Sequence, residues 1–310
     1  MSSPRGKLIA AFAIVYVVWG STYLAIHFAI QTIPPLLMIA VRFLAAGSIL
    51  YAWHRFRGGE RPTALQWRNT AIIGTLLLLG GTGAVAWAEQ TVPSGTAALL
   101  VAVVPLWTVL IDWLRPGGRR PPSGVFLGVA AGLVGMIVLA GPDSLYGHGP
   151  VDIRGAIVLM LGSFSWAAGS VFARYCALPR SQIASSAMEM LAGGVGCVVV
   201  GLAMGEGSAL HIGAISGASL AGCLYLVVFG SIIAYSAYTW IVQHAAPVAV
   251  GTYAYVNPIV AVFLGWLIAG ERVTPRVVLG AAIIVAAVGI ITLMANRSRP
   301  VTSSAQRQTA

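Results

Sequence analysis

Apolar runs of about 20 residues recur along the whole length of this 310-residue chain. A run of that length, wound as an α-helix, crosses the hydrocarbon core of a bilayer. Charged residues make up only 8% of the sequence, whereas soluble domains carry about 25%. So few charges cannot cover a surface that faces water, but a surface that faces lipid needs none. The sequence therefore predicts an all-α integral membrane protein.

Short polar or Pro/Gly-rich breaks divide the chain into ten predicted transmembrane helices. The predicted ranges are residues 8–29, 35–54, 68–88, 94–114, 122–140, 151–173, 182–205, 217–241, 247–269 and 274–295. The polar tail, residues 296–310, is predicted to be disordered in the cytoplasm.

The basic residues predict which way the helices run. With the N-terminus in the cytoplasm, fourteen basic residues lie on the cytoplasmic side and three on the other side. Under the positive-inside rule this bias places both termini in the cytoplasm. It also accounts for the net charge of +10 without nucleic acid as a partner. The cytoplasmic residues are Arg5, Lys7, Arg55, Arg57, Arg61, Arg68, Arg115, Arg119, Arg120, Arg174, Arg180, Arg297, Arg299 and Arg307, and the external ones are Arg154, Arg272 and Arg276.

The two halves of the chain resemble each other. Trp19 and Arg42 are 23 residues apart, and Trp166 and Glu189 have the same spacing in the second half. Each half holds five predicted helices, an odd number, so the second half enters the membrane from the opposite side. We predict two inverted repeats, residues 8–140 and 150–295, an arrangement typical of secondary transporters. Further pairs recur at an offset of 153 residues: Trp87/Trp240, Gln90/Gln243, Pro105/Pro258, Trp113/Trp266 and Pro122/Pro275.

Two charged residues fall well inside predicted spans. Arg42 lies in the second helix and Glu189 in the seventh, at equivalent positions of the two repeats. A charge in hydrocarbon is costly, so both should face protein or water. A structural role and a role in transport are equally open. We hypothesise one charge-balanced polar network that biases the inward- and outward-facing states.

Two prolines predict where the transport pathway runs. Pro105 and Pro258 occupy equivalent places in the fourth and ninth helices, and each frees a backbone carbonyl. Interrupted helices at matching positions point to a binding site. We expect both helices to be broken there, with Tyr253, Tyr255 and Asn257 facing a central cavity; a packing kink is the alternative.

Further candidates for substrate binding are aromatic or hydroxyl residues inside the spans. Trp19 and Trp166 lie deep in their helices and are related by the repeat, which suits a cavity wall. Glu89 and Glu271, by contrast, end their helices on the external side, where we expect a water-facing carboxylate and a helix-end contact. The remaining candidates are Thr22, Trp107, Ser170 and Tyr235.

The sequence lacks the signatures of catalysis. It contains no Walker A loop, no HExxH pair and no serine–histidine constellation within the predicted spans. Cys176, Cys197 and Cys223 lie in apolar runs without metal-ligand spacing. We therefore predict no cofactor, no metal site and no enzyme activity. An intramembrane enzyme and a membrane protein without flux are the weaker alternatives.

Several stretches together resemble the EamA family of the drug/metabolite transporter superfamily, in particular bacterial exporters of the YedA and YddG type. They are "VVWGSTYLAI", "PPLLMIAVRFLAAG", "TVPSGTAALLVAVVPLWT", "SWAAGSVFARY", "FGSIIAYSAYTWIV" and "TYAYVNPIVAVFLGWLIAGE". The resemblance covers about residues 8–295. It implies ten helices in two repeats, a central cavity, residence in the bacterial inner membrane, and export of amino acids or other small metabolites.

The charge content of the spans narrows the expected cargo. A phosphate site would need several basic residues, and the spans offer only Arg42. We expect a zwitterionic or amphipathic solute, such as an aromatic or other hydrophobic amino acid, with drugs or nucleosides as alternatives. The expected partners are this small molecule and the bilayer, and the protein works as a monomer or a homodimer. Proton coupling and facilitated diffusion both stay open.

The charge bias gives a direct test of orientation. In a background without cysteine, Ser298→Cys is expected to resist an impermeant thiol reagent added to intact cells, because the C-terminus is predicted to be cytoplasmic. Labelling after the cells are opened serves as the positive control. Reaction in intact cells would show that the orientation is wrong.

Overall fold

A computed structural model describes residues 4–118, 120, 123–140, 152–244 and 253–297 of the chain. These residues form helices joined by short connections, and none of them forms a β-strand. Two helical turns, Glu206–Ala209 and Ile212–Ala214, lie between the helix that ends at Ala203 and the helix that begins at Gly217. The helices are α1 (Pro4–Ile14, Val15–Trp19 and Gly20–Ala29 in succession), α2 (Pro35–Phe56), α3 (Ala64–Gly74, Thr75–Gly83 and Ala84–Ala88), α4 (Ser94–Val101 and Val104–Leu114), α5 (Ser123–Ala140), α6 (Ile153–Ala173), α7 (Gln182–Ala203), α8 (Gly217–Tyr225, Leu226–Ile233 and Ala234–His244), α9 (Tyr253–Ala269) and α10 (Pro275–Arg297).

Seven helices among the described residues are long and apolar enough to cross a membrane. Three shorter apolar helices accompany them: Phe126–Leu139, Val256–Ala269 and Pro275–Ile290. The predicted start of the ninth helix at 247, most of the external loop before Asp152, and the predicted tail beyond 297 lie outside the described residues. The seven spans are Gly6–Ala29, Pro35–Phe56, Ala64–Ala88, Ser94–Leu114, Ile153–Ala173, Gln182–Ala203 and Gly217–Tyr238.

Carboxylates from distant loops complete the first turns of α2 and α4. Pro34 and Pro93 hold the N-cap positions of these helices and offer no side-chain acceptor. Glu271 takes over at α4, where Oε1 accepts from the amide of Ser94 at 2.7 Å and Oε2 from that of Gly95 at 3.1 Å. Glu206 does the same at α2. An anionic acceptor suits the partial positive charge of a helix N-terminus.

These caps also fix which helix ends lie together. Glu206 follows α7 and Glu271 follows α9, so the ends of α7 and α9 meet the starts of α2 and α4. At the opposite ends of the bundle, Asn69 at the start of α3 donates to the carbonyl oxygen of Ala177, between α6 and α7, at 3.0 Å. α2 therefore runs antiparallel to α7, and α4 runs antiparallel to α9.

The helices pair in matching sets. α2 packs along α7 and α5 along α10, while α1 contacts α9 in the way that α6 contacts α4. Glycines allow the closest approach: a Cβ placed on Gly47 of α2 would lie 3.0 Å from the carbonyl oxygen of Ala187 in α7. Large apolar side chains such as Leu133, Ile137 and Leu279 point outward from the bundle, where lipid would cover them.

Gly74 is expected to be intolerant of even one methyl group. A Cβ at this position of α3 would overlap the carbonyl oxygen of Glu189 in α7, and backbone cannot move aside cheaply. We expect Gly74→Ala to lower the free energy of unfolding by roughly 1–3 kcal/mol, the usual range for overpacking. Thermal unfolding in detergent measures this change.

Gly289→Ala is the matched control. Gly289 also lies inside an apolar helix, but a Cβ there would meet nothing within 4 Å. Equal loss of thermal stability in both variants would show that helix packing against α7 is not the cause.

Candidate functional site

A cavity of about 160 Å³ lies in the middle of the bundle, between α1, α2, α3, α4, α6 and α9. Most of the residues predicted from the sequence to face a cavity line this one. Its lining includes Trp19, Thr22, Arg42, Pro105, Trp166, Tyr253, Asn257 and Pro258. Further residues line it as well, among them the polar side chains of Tyr23, Thr82 and Ser163.

Arg42 lies on α2 with only 6% of its surface exposed. Its Nε donates to Ser231 Oγ at 2.9 Å, and its guanidinium carbon lies 4.8 Å from the ring centre of Phe43. No carboxylate lies within 4 Å of it among the described residues, where the single ion pair joins Arg115 and Asp112. The buried cation on the cavity wall therefore lacks an anionic partner from the described chain.

Glu189 lies on α7 outside the lining of the cavity, with 8% exposure. Its carboxylate accepts from Ser185 Oγ at 2.9 Å and from the Tyr235 hydroxyl at 3.1 Å. Arg42 and Glu189 thus do not form an ion pair. Each is held by a hydroxyl on α8, and those two residues, Ser231 and Tyr235, are four positions apart, one helical turn.

An aromatic group closes one end of the cavity. Trp19 contacts Tyr253 with ring centres 5.4 Å apart and Tyr238 at 4.9 Å, and Tyr235 lies 6.3 Å away. Trp19 Nε1 donates to the carbonyl oxygen of Gly230 at 3.2 Å. That oxygen belongs to the π-helical segment Leu226–Ile233, whose wider turn departs from the usual backbone pairing. The local winding of α8 therefore helps to fix the orientation of the indole.

Trp107, Ser170 and Tyr235, which we predicted to bind substrate, lie outside the lining. Each polar group has a partner in the protein instead. Trp107 Nε1 donates to Ser163 Oγ at 3.0 Å, and Ser170 Oγ donates to the carbonyl oxygen of Trp166 at 2.8 Å. Trp107 and Ser170 thus support Ser163 and Trp166, which do line the cavity. The side chain of Tyr255 lies outside the described residues.

The two prolines behave differently. α4 is interrupted at Ala102–Val103, directly before the turn that contains Pro105, as expected. α9 is continuous through Pro258, so the predicted break there is wrong. Proline removes only one helical hydrogen bond at that point, and transmembrane helices tolerate this loss. Asn257, next to Pro258, is 8% exposed, and its Oδ1 is buried without a hydrogen bond among the described residues.

Glu89 departs most from expectation. We expected a water-facing carboxylate, but only 4% of its surface is exposed, and neither carboxylate oxygen has a hydrogen-bond partner among the described residues. Glu271, in contrast, makes the expected helix-end contact at the start of α4. In the described part of the chain, no group of three or more His, Cys, Asp or Glu side chains is placed to hold a metal ion.

Comparison with known proteins decides the family. The EamA-like transporter family matches the chain twice, over residues 6–141 and 153–293. The chain belongs to the EamA-like transporter family. It is therefore a membrane transporter by family, which agrees with its apolar helices and its central cavity.

Individual members of the EamA-like family align along most of the chain. The uncharacterized inner membrane transporter YedA of Escherichia coli strain K12 is 41% identical over 287 residues, 92% of this chain and 90% of YedA. Protein PecM of Dickeya dadantii strain 3937 is 24% identical and covers 88% of each chain. One crystal structure, 21% identical, has a TM-score of 0.63 and covers 94% of this chain and 99% of that one, which shows a shared fold.

The contacts to α8 predict coupling between Arg42 and Glu189. Removal of either charge frees one of two adjacent turns of α8 and leaves a buried hydroxyl without its partner, so each single alanine variant should lose roughly 1–3 kcal/mol of stability. The double variant should lose less than the sum, by about 0.5–3 kcal/mol, as residues in one network do. Thermal unfolding of the four proteins measures the cycle.

Exposed Arg68 supplies the control for this cycle. Arg68→Ala combined with Glu189→Ala is expected to be additive, because Arg68 lies outside the contacts to α8. Additivity for Arg42 and Glu189 as well would mean that the two charges act separately, and the network hypothesis would be dropped.

Proposed function

We propose that this protein is a secondary transporter that exports amino acids with apolar, above all aromatic, side chains across the bacterial inner membrane. The solute binds in the central cavity, which opens in turn to either side of the membrane. The single observation that carries this proposal is the lining of the cavity, which includes aromatic walls, Arg42 and Asn257. Among the described residues, Arg42 has no anionic partner and Asn257 Oδ1 is buried without a hydrogen bond.

Ten transmembrane helices in two inverted repeats, residues 8–140 and 150–295, are the architecture that we propose. The family matches the two halves separately. The helix pairs α2–α7 and α5–α10 join equivalent members of the two halves, as a two-fold axis in the membrane plane requires. Seven of the described helices are long enough to span the membrane, and we assign the other three of the ten proposed spans to the three shorter apolar helices.

The proposed setting follows from charge and from the relatives. YedA is an inner membrane transporter by name, and the distribution of basic residues favours cytoplasmic termini. The proposed direction is export, and the partners are the solute and the bilayer. The protein works as a monomer or as a homodimer.

Arg42 is the proposed binding residue for the substrate carboxylate. A guanidinium carries five N–H donors and stays charged, and Arg42 uses one donor on Ser231. A carboxylate in the cavity would supply the anion that the described chain lacks. Charge-assisted hydrogen bonds of this kind are about twice as strong as neutral ones.

Asn257 is the proposed acceptor for the substrate ammonium group. Its Oδ1 is buried and has no donor among the described residues, which costs free energy until a ligand supplies one. The ammonium of a zwitterion has three N–H donors. Arg42 and Asn257 line the same cavity. In this proposal the guanidinium binds the carboxylate end of an amino acid, and the amide oxygen binds the ammonium end.

The walls of the cavity suit an apolar side chain. Trp19, Tyr23, Trp166 and Tyr253 present large aromatic surfaces. The volume, about 160 Å³, accommodates a group of the size of a benzene ring, since an engineered apolar cavity of about 150 Å³ binds benzene. Nucleosides and larger drugs stay as alternative cargoes, and an intramembrane enzyme has no supporting catalytic group in the described lining.

Counterflow in proteoliposomes tests the cargo. Vesicles loaded with unlabelled L-phenylalanine should accumulate the labelled compound, and L-phenylalanine should compete better than phenethylamine or 3-phenylpropionate, which lack one charged end each. We expect Arg42→Gln to lose about tenfold or more of the preference for L-phenylalanine over phenethylamine. Asn257→Ala should instead reduce the preference over 3-phenylpropionate.

Arg68→Gln, which removes an exposed arginine, should retain both preferences. Exchange of nucleosides or cationic dyes without exchange of any amino acid would refute the proposed cargo.

A further inference from the structure

Glu89 lies at the end of α3, beyond the cavity on the side where α4 begins. Its side chain is 4% exposed, and both carboxylate oxygens are buried without a hydrogen bond among the described residues. The transport site proposed above does not use it. An ionised carboxylate in such a place loses its hydration and gains no donor, a cost of several kcal/mol, whereas the neutral acid avoids most of that penalty.

The groups around Glu89 favour the neutral acid further. Glu271, between α9 and α10, is close enough to repel a negative charge on Glu89. Two backbone amides and the hydroxyl of Ser94 donate to Glu271, so its carboxylate has hydrogen-bond donors that Glu89 lacks among the described residues. A buried carboxyl group that has no donor and lies near a second carboxylate favours its neutral, protonated form.

No Lys, Arg or His nitrogen lies within 4 Å of the Glu89 carboxylate in the described part of the chain. On α1, Tyr23 interacts electrostatically with Glu89 and lines the cavity, and His27 lies one turn further along, half-buried. On α6, which packs against the end of α3 through Gly155, Asp152 accepts from the amide of Arg154, and Arg154 is exposed.

We propose that Glu89 is a proton-binding site that couples proton movement to transport. With its proton, Glu89 is stable in the dry, closed arrangement described here. Without it, the carboxylate needs water or new donors, so the α3–α4 end of the bundle opens and hydrates it. The proton thus binds more tightly when the α3–α4 end is closed than when it is open. Such a difference in affinity is what allows a ligand to shift a conformational equilibrium.

The cycle balances as an exchange of one proton for one solute, and it rests on the proposed export function. In the state open to the cytoplasm, Glu89 loses its proton to water in the cavity on the side of Tyr23, and the solute binds. The carboxylate then favours opening at the α3–α4 end, and the solute leaves. A proton from external water binds to Glu89, and this end closes again.

Cysteine accessibility tests the switch without any knowledge of the cargo. Ala98 lines the cavity on α4 and is 1% exposed. In a background with the three native cysteines replaced, Ala98→Cys would be labelled in intact cells by an impermeant thiol reagent. We expect the labelling to increase at least about fivefold as the external pH rises through the titration of Glu89, the lower end of typical coupling effects.

Two controls isolate Glu89. The rate is divided by that of His211→Cys, an exposed position near the same end of the bundle, because thiol reactivity itself rises with pH. Glu89→Gln mimics the protonated acid and should keep Ala98→Cys slow at every pH. Glu60→Gln, which changes an exposed glutamate, should keep the wild-type pH dependence.

Each outcome decides the matter. Labelling that does not depend on pH in the wild-type background, or that depends on pH equally in Glu89→Gln, would refute the switch. If Glu89→Gln fails to reach the membrane, two other measurements decide. They are the pH dependence of labelling in the wild-type background and in Glu89→Asp, where labelling should still increase with pH. A pH-dependent switch without amino-acid counterflow would leave Glu89 as the proton site and reject only the cargo.

Discussion

A polar group buried in this bundle cannot form a hydrogen bond with water. Without a partner in the protein, it lowers the stability of the folded state. The starts of α2 and α4 show how strictly this holds. Proline at each N-cap leaves the first amides without a local acceptor, and Glu206 and Glu271 reach them from loops 170 and 177 residues away along the chain. These two carboxylates join parts of the chain that sequence separates, and the order of the helices in the bundle depends on such bonds.

Against this background, the buried groups that lack a partner among the described residues are the ones to which we assign proposed roles. Most buried polar side chains are paired: Ser163 with Trp107, Ser185 with Glu189, and Ser231 with Arg42. The exceptions among the described residues are the oxygens of Glu89 and Asn257 Oδ1. A buried group that stays unpaired costs free energy, so its retention is best explained by a partner that comes and goes, a solute for Asn257 and a proton for Glu89.

The sequence predicted the helices well because their signal is local. Apolar runs and the breaks between them lie next to each other along the chain, and α2, α4 and α6 begin at or within two residues of the predicted positions. Trp19, Arg42 and Trp166, which lie deep in their spans, do line the cavity, and for Arg42 the reason is that a charge at that depth must face protein or water. Helix winding was less accessible: the π-helical segments in α1, α3 and α8 have no composition that distinguishes them from ordinary apolar helix.

What the sequence could not give depends on contacts between distant residues. Glu89 stands at the end of a span, where a carboxylate normally meets water, and only the packing of α1, α6 and the Glu271 loop excludes water from it. Trp107 and Ser170 looked equivalent to Trp166 and Thr22, and the difference lies in which way each side chain turns. Tyr23 carried no signal beyond its position one residue after Thr22, but that position places it on the cavity wall, within electrostatic range of Glu89.

Arg42 and Glu189 occupy equivalent places of the two halves but carry opposite charges. The two halves therefore differ in charge at this place, although their helices pair symmetrically. Arg42 and Glu189 both bind α8, at Ser231 and Tyr235. The equivalent positions on α3, 153 residues earlier, are Leu78 and Thr82, and α3 meets α7 through close backbone packing at Gly74 and Gly193 instead. Packed backbone separates only as a whole, whereas two side-chain hydrogen bonds can exchange one at a time. The side-chain contacts of α8 are therefore better suited to rearrange than the packed backbones of α3 and α7.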